Sequence, residues 1–102
     1  MLELRPTCEH CNNSLPPDST EARICSYECT FCAACVEAVL GNVCPNCGGG
    51  FEPRPIRPSR NWNDGNSLER DAASLVAIHQ PVDQQAHTDF SARISDIPPE
   101  DR

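Results

Sequence analysis

Large apolar residues are sparse in this chain, and their spacing predicts one short helix. After Cys35 they recur at positions i, i+3 and i+4, as on one face of a helix. These positions hold Val36, Val39 and Leu40. We expect two helical turns over 36–43, because Gly41 or Asn42 provides a natural stop.

The other apolar residues of the N-terminal half are isolated. Residues 1–7 alternate Leu2 and Leu4 with polar neighbours, which favours a short strand or an apolar strap. Phe31 directly precedes a cysteine, and we expect it to pack inside the fold.

The C-terminal half has a different composition. Residues 53–60, PRPIRPSR, predict an extended, solvated linker, and we place that linker at 53–66. A second apolar stripe predicts a short amphipathic helix over 67–80; its members are Leu68, Ala72, Leu75, Val76 and His79. A short helix is marginal alone, so a partly formed helix in solution is the alternative. The polar, acidic composition of 81–102 predicts a largely disordered tail.

All eight cysteines lie between residues 8 and 47, and their spacing indicates a metal-binding module. Two residues separate the members of several pairs, so that a tight turn aims two sulfurs at one ion. The cysteines are Cys8, Cys11, Cys25, Cys29, Cys32, Cys35, Cys44 and Cys47. Thiolates are soft ligands that suit structural zinc in tetrahedral four-sulfur sites. We expect two zinc ions, which would stabilise a core too small to fold alone.

Disulfides and iron are the competing interpretations of these cysteines. The chain begins at Met1 without a secretory leader, so we expect a cytoplasmic protein, in which disulfides are rare. Four thiolates also bind iron, which would colour the purified protein. His10 could replace a cysteine, but enough sulfurs are present; we interpret it as an exposed polar residue.

The charge of the chain limits its partners. The formal net charge is −7, and all eight basic residues are arginines. This acidic balance argues against nucleic-acid binding, which needs a basic face. No apolar run reaches the length of a membrane span. We expect a protein partner.

The order and gaps of the cysteines resemble the RING finger, whose ligand pairs interleave. Carried over by position, the resemblance assigns Cys8, Cys11, Cys32 and Cys35 to one zinc, and Cys25, Cys29, Cys44 and Cys47 to the other. It implies a small metal-stabilised α+β fold over residues 1–52, a RING-like cross-brace of the treble-clef type with one short helix. Sequential and nested pairings of the same cysteines are the alternatives.

Residues 2–58 also resemble a family of short bacterial proteins of unknown function. The shared motifs are the opening LELRPxCExC and the closing NVCPNCGGGF. This resemblance brings no activity with it.

The RING resemblance raises the question of ubiquitin ligation. Three positions depart from the usual ligase surface: His10, Val39 and Gly48 stand where an apolar residue, a tryptophan and a basic residue are common. We therefore favour a non-catalytic zinc-binding module for protein interaction, without catalytic residues. A RING-type ligase component and a thiolate-based zinc store or redox sensor are the alternatives. Self-association through the 67–80 helix is a further expectation.

Overall fold

Three short strands form an antiparallel sheet in the computed structural model, which describes all 102 residues. The strands are β1 (Ala22–Ile24), β2 (Thr30–Cys32) and β3 (Glu52–Pro53). Strand β1 lies in the middle, and its Ile24 pairs with Thr30 of β2 and with Glu52 of β3. The sheet thus connects the cysteine-rich stretch to the segment that follows it.

The helix after β2 begins before the predicted helix. Helix α1 is α-helical over Ala33–Cys35 and continues as a π-helix over Val36–Leu40. Gly41 ends it with φ 58° and ψ 36°, a left-handed conformation that glycine adopts without a steric penalty. The predicted helix and its stop are therefore confirmed, while its first turn lies closer to β2.

The core is built from a few apolar residues and the cysteines. Phe31 is buried, as predicted, and its ring meets that of Phe51 edge to face with centroids 5.5 Å apart. Six of the eight cysteines are buried, all except Cys11 and Cys47. Leu4 is buried too, so the N-terminal residues act as an apolar strap; only Thr7 forms a β-bridge, to Ser14.

Residues 53–60 are mostly exposed, but they are attached to the rest of the protein and so are not a free spacer. Arg54 is only 3% exposed and donates hydrogen bonds to three backbone carbonyls, those of Arg5 at 2.8 Å, Pro16 at 2.9 Å and Leu15 at 3.1 Å. A buried guanidinium needs such partners, because its charge is costly to remove from water. The side chain thus fixes this segment to the N-terminal residues.

Residues 67–80 do not form the predicted amphipathic helix. A turn precedes residue 72, and the chain then runs without regular structure beside the N-terminal residues. Ser74 donates its N–H to the Leu4 carbonyl at 3.0 Å, and Gln80 donates to the Glu9 carbonyl at 2.8 Å. These tertiary hydrogen bonds replace those of a helix that was marginal by itself. Leu75, a member of the predicted apolar stripe, is 94% exposed.

The tail over 81–102 is ordered, which corrects the prediction of disorder. It contains helix α2 (Gln84–Ala92), whose N-cap Asp83 accepts the N–H of Ala86 at 3.1 Å, and a 3₁₀ turn over Pro99–Asp101. None of the helices is long and apolar enough to cross a membrane.

The tail packs against the last cysteine loop. A Cβ added at Gly48 would lie 3.5 Å from Cδ1 of Ile94 and 3.6 Å from Cζ of Phe90, so these two side chains lie against the loop; the glycine itself suits the φ of 78°. Arg102 donates to the carbonyls of Asn42 at 2.8 Å and Gly48 at 3.2 Å. The isolated apolar residues of the tail therefore have a partner surface, which composition alone does not reveal.

Candidate metal centre

Four thiols converge where β2 passes into α1. Two come from the N-terminal loop and two from the end of β2 and the first turn of α1. Their sulfurs all lie within 4.8 Å of one another; they belong to Cys8, Cys11, Cys32 and Cys35. The structure thus brings together the four residues assigned to the first site.

A tight turn places the first two of these sulfurs. The N–H of Asn12 donates to the Cys8 carbonyl at 2.9 Å, and the N–H of Cys8 donates to the Asn13 carbonyl at 2.9 Å. Asn12 has φ 63°, in the left-handed region that asparagine tolerates better than most residues. The chain therefore reverses directly after Cys11, which brings its sulfur back beside that of Cys8.

Glu9, which the sequence analysis did not single out, attaches this loop to the sheet. Its buried carboxylate accepts the N–H of Thr30 in β2 and a hydrogen bond from Arg5 at 2.9 Å. In the sequence, only the i, i+4 spacing of Arg5 and Glu9 indicated this ion pair, and such a spacing is typical of helices rather than of loops. The bond from Thr30, together with that from the Glu9 N–H to the Thr30 carbonyl at 3.0 Å, positions the first two cysteines relative to the second two.

The second group contains three of the four predicted thiols. The sulfurs of Cys25, Cys44 and Cys47 lie within 4.8 Å of one another, and Cys29 lies outside this group. Cys29 is nevertheless buried beside it, and its carbonyl accepts the N–H of Cys25 at 3.2 Å. The Nδ2 of Asn46 donates to its sulfur at 3.4 Å.

The separation between sulfurs in the first group fits a tetrahedral metal ion. The Sγ atoms of Cys11 and Cys32 are 3.7 Å apart. An ion with bonds of about 2.3 Å to sulfur places neighbouring ligands of a tetrahedron about 3.8 Å apart. All eight cysteines are free thiols, and no carboxylate or histidine belongs to either group. An all-sulfur donor set suits soft or borderline ions.

Burial makes these thiols difficult to ionise without a cation. It raises the pKa of three of them, Cys29, Cys35 and Cys44. Burial also acts on Cys8, but backbone hydrogen bonds from Cys11, Cys32 and His10 outweigh it and lower its pKa. A bound metal ion would supply the positive charge that a cluster of buried thiolates requires.

Backbone N–H groups also point at sulfurs of the second group. Tyr27 donates to the sulfur of Cys25 at 3.3 Å, and Gly49 donates to that of Cys47 at 3.4 Å. Each donor lies two residues after its cysteine, as a tight turn dictates.

His10 belongs to neither thiol group and instead binds the tail. Its Nδ1 accepts the N–H of Val82 at 2.9 Å, and its carbonyl lies 3.2 Å from Nε2 of His79. The interpretation of His10 as an exposed turn residue is therefore corrected, because the residue is partly buried and bonded to the tail.

The tail also contacts helix α1. His87 is buried in α2, and its Nε2 donates at 2.9 Å to the Leu40 carbonyl at the end of α1, which also accepts the N–H of Val43 at 3.1 Å. Together with the bond from Val82 to His10, this contact places residues 82–87 between the first cysteine loop and α1. His10 and Val39, two of the positions that depart from the usual RING ligase surface, belong to this surface.

The fold and the two thiol groups define a small cysteine-rich α+β protein with two candidate metal sites. Residues 1–57 match the family model described as "Protein of unknown function (DUF1272)". The chain belongs to this family of short bacterial proteins, which confirms the resemblance seen over residues 2–58.

Comparison with individual proteins extends the match beyond the family model. The chain is 61% identical over 81 residues to an uncharacterized protein of Rhizobium meliloti (strain 1021), a match that covers 79% of this chain and 89% of the relative. Because this stretch is longer than the family model, it includes part of the segment after residue 57. No solved structure matches the chain.

Proposed function

We propose that the protein is a non-catalytic module for protein interaction that two structural zinc ions hold in shape. The main support is the convergence of four thiols from distant parts of the chain, with a separation of 3.7 Å between the sulfurs of Cys11 and Cys32. Four sulfurs complete a tetrahedral zinc site and leave no coordination position for a substrate. Such a site stabilises a fold rather than performing a reaction.

In this proposal Cys29 is the fourth ligand of the second site. Its burial, the backbone hydrogen bond that it accepts from Cys25 and the hydrogen bond from Asn46 support that role. The ligand pairs would then alternate between the two ions along the chain, as in a RING-like cross-brace. An alternating arrangement ties the N-terminal loop, the sheet and α1 into one unit.

The ligase alternative is less well supported than the interaction module. A ligase would present a free apolar groove between the first metal loop and the helix. Here the contacts of Val82 with His10 and of His87 with Leu40 cover that surface with the chain's own tail. A conjugating enzyme would have to displace these contacts before it could bind.

Storage or redox release of zinc is also less well supported. A storage protein needs ligands but no core, whereas this chain buries Phe31, Leu40 and Val43 around its thiols. Assigning all eight cysteines to metal leaves no thiolate as a nucleophile. Reduced thiols also agree with a cytoplasmic protein, which is part of the proposal.

Metal analysis and a binding assay test this function. We expect two zinc ions per chain and a colourless protein; visible absorption from iron would contradict the metal assignment. Zinc-loaded protein should capture a defined protein from the extract of its native host, and a sample treated with chelator should not. Ubiquitin chains made with a panel of conjugating enzymes would contradict the non-catalytic proposal.

A further inference from the structure

Residues 53–60 have a period of three that matches a polyproline II helix. This helix has three residues per turn and no internal hydrogen bonds. Proline fixes φ near its polyproline II value and keeps the preceding residue extended. Pro53, Pro55 and Pro58 therefore hold most of this segment in one conformation.

One face of this segment is bound to the rest of the protein. Arg54 and Arg57 are three residues apart, so they lie on the same face of a polyproline II helix. Arg54 donates to three carbonyls of the N-terminal region, and Arg57 donates to the carbonyls of Leu2 at 2.7 Å and Asp71 at 2.8 Å. These hydrogen bonds fix the orientation of the segment on the surface.

The opposite faces are exposed and apolar. We call Pro55, Ile56 and Pro58 the proline ridge; all three are exposed. Pro55 and Pro58 are again three residues apart and share a face. The Leu68 N–H donates to the Pro58 carbonyl at 2.9 Å, which holds the C-terminal end of the ridge.

Trp62 extends this exposed apolar surface. It is 77% exposed, Ile56 is 51% exposed, and together with Pro58 they line one cleft of about 440 Å³. Large apolar residues that lie together on the surface mark interaction sites more often than scattered ones do. The arrangement of a stiff proline segment beside an aromatic ring is therefore a candidate binding surface.

We propose that the proline ridge is the ligand of a partner protein with an aromatic-lined, proline-binding groove. Such grooves bind polyproline II segments because these segments are already ordered and lose little entropy on binding. This inference rests on the proposed interaction function and names the class of partner. The hydrogen bonds of Arg54 and Arg57 supply the order that the ligand needs.

Charge complementarity adds a second feature to the partner. A bend at residues 59–60 ends the three-residue period, so Arg60 does not continue the bound face of Arg54 and Arg57. It is exposed and takes part in none of the three salt bridges. It is thus a free cation at the end of the only locally basic stretch of a chain with net charge −7. A groove with an acidic group at its rim fits both the ridge and Arg60.

The single tryptophan of the chain permits a direct test. Zinc-loaded full-length protein carrying 5-fluorotryptophan gives one ¹⁹F resonance, from Trp62 beside the ridge. We would titrate it with an SH3 domain and, separately, with a WW domain up to millimolar concentration. The expected result is a saturable shift of this resonance together with the backbone amides of Arg54, Ile56 and Arg57.

Variants assign the shift to the ridge. The double substitution P55A/P58A should weaken binding about tenfold, since both rings leave the groove. Arg60→Gln should weaken it severalfold, and more so at low salt. Pro98→Ala, at an exposed proline of the tail, is the matched control and should leave binding unchanged. Zinc content and the amide spectrum show that each variant is folded.

The outcomes separate this inference from the proposed function. No shift with either domain, or a shift that P55A/P58A leaves unchanged, would overturn the ridge as a proline ligand. A Trp62 shift that depends only on the protein's own concentration would identify a second copy as the occupant and overturn the named partner class. Zinc-dependent capture of a host protein that survives P55A/P58A would support the module and refute the ridge.

Discussion

The backbone N–H of Val82 donates a hydrogen bond of 2.9 Å to Nδ1 of His10, which lies between two cysteines of the first thiol group. This bond joins residues 72 positions apart and makes the tail part of the surroundings of the candidate metal loop. Gln80 adds a second bond, to the carbonyl of Glu9 in the same loop. Order in the loop and order in the tail should therefore depend on each other.

Removal of metal should release the tail as well as unfold the cysteine-rich part. Chelation leaves the thiols of residues 8–47 without their cross-links, and a core this small cannot hold the fold alone. The carbonyls and His10 nitrogen that hold residues 80–82 would lose their fixed positions. Amide exchange of the full chain with and without chelator measures this, and an unchanged tail would contradict the coupling.

Substitution of Cys29 tests the composition of the second site. Cys29→Ser should lower the tightly bound zinc from two ions per chain to about one, because three sulfurs hold the ion less firmly than four. Asn46→Ala is the matched control: it removes only the hydrogen bond to the Cys29 sulfur and should keep both ions. Zinc per chain, measured after dialysis against a weak chelator, distinguishes the two variants.

Cadmium-substituted protein tests the pairing itself. The ¹¹³Cd NMR signals should connect Cys8 and Cys11 with Cys32 and Cys35. Finding Cys25 and Cys29 on the same ion as Cys8 would contradict the interleaved arrangement.

The sequence predicts the parts of this fold that local chemistry determines. The left-handed glycine that ends α1 and the packing of Phe31 both follow from residue type and spacing. The first thiol group also agrees with the RING comparison. A glycine after a helix, an aromatic residue beside a ligand and closely spaced cysteines each favour one local structure, so the surrounding pattern is enough to predict it.

The tail could not be predicted in the same way. It is held by backbone hydrogen bonds, such as that from Ser74 to Leu4, and any residue type can form these. The apolar stripe over 67–80 has the period of a helix, but tertiary bonds outcompete a helix of such low intrinsic stability. The residues around Arg54 in the sequence do not predict its burial, because its carbonyl partners belong to residues far away along the chain.

Arg54 should contribute strongly to stability although it lies outside the cysteine-rich stretch. Arg54→Ala removes a charged donor from three carbonyls and should lower the free energy of unfolding by about 3 kcal/mol. Burial lowers the pKa of Arg54, because its charged guanidinium loses hydration there. Urea unfolding at fixed free zinc gives the change.

Arg60→Ala is the matched control for this prediction. Arg60 is exposed, so its removal should change the free energy of unfolding by no more than about 0.5 kcal/mol. Equal effects of the two substitutions would show that the hydrogen bonds of Arg54 do not stabilise the fold.

Substitution of His10 separates tail attachment from metal binding. His10→Ala removes the acceptor for the Val82 N–H but no sulfur, so the protein should keep two zinc ions. Loss of one hydrogen bond costs about 1 kcal/mol, which corresponds to about fivefold faster exchange of the Val82 amide through local opening. Gln85→Ala, on the exposed side of α2, should leave that amide unchanged. If His10→Ala instead lost one zinc ion per chain, His10 would be a metal ligand. Its main role would then be metal binding rather than attachment of the tail.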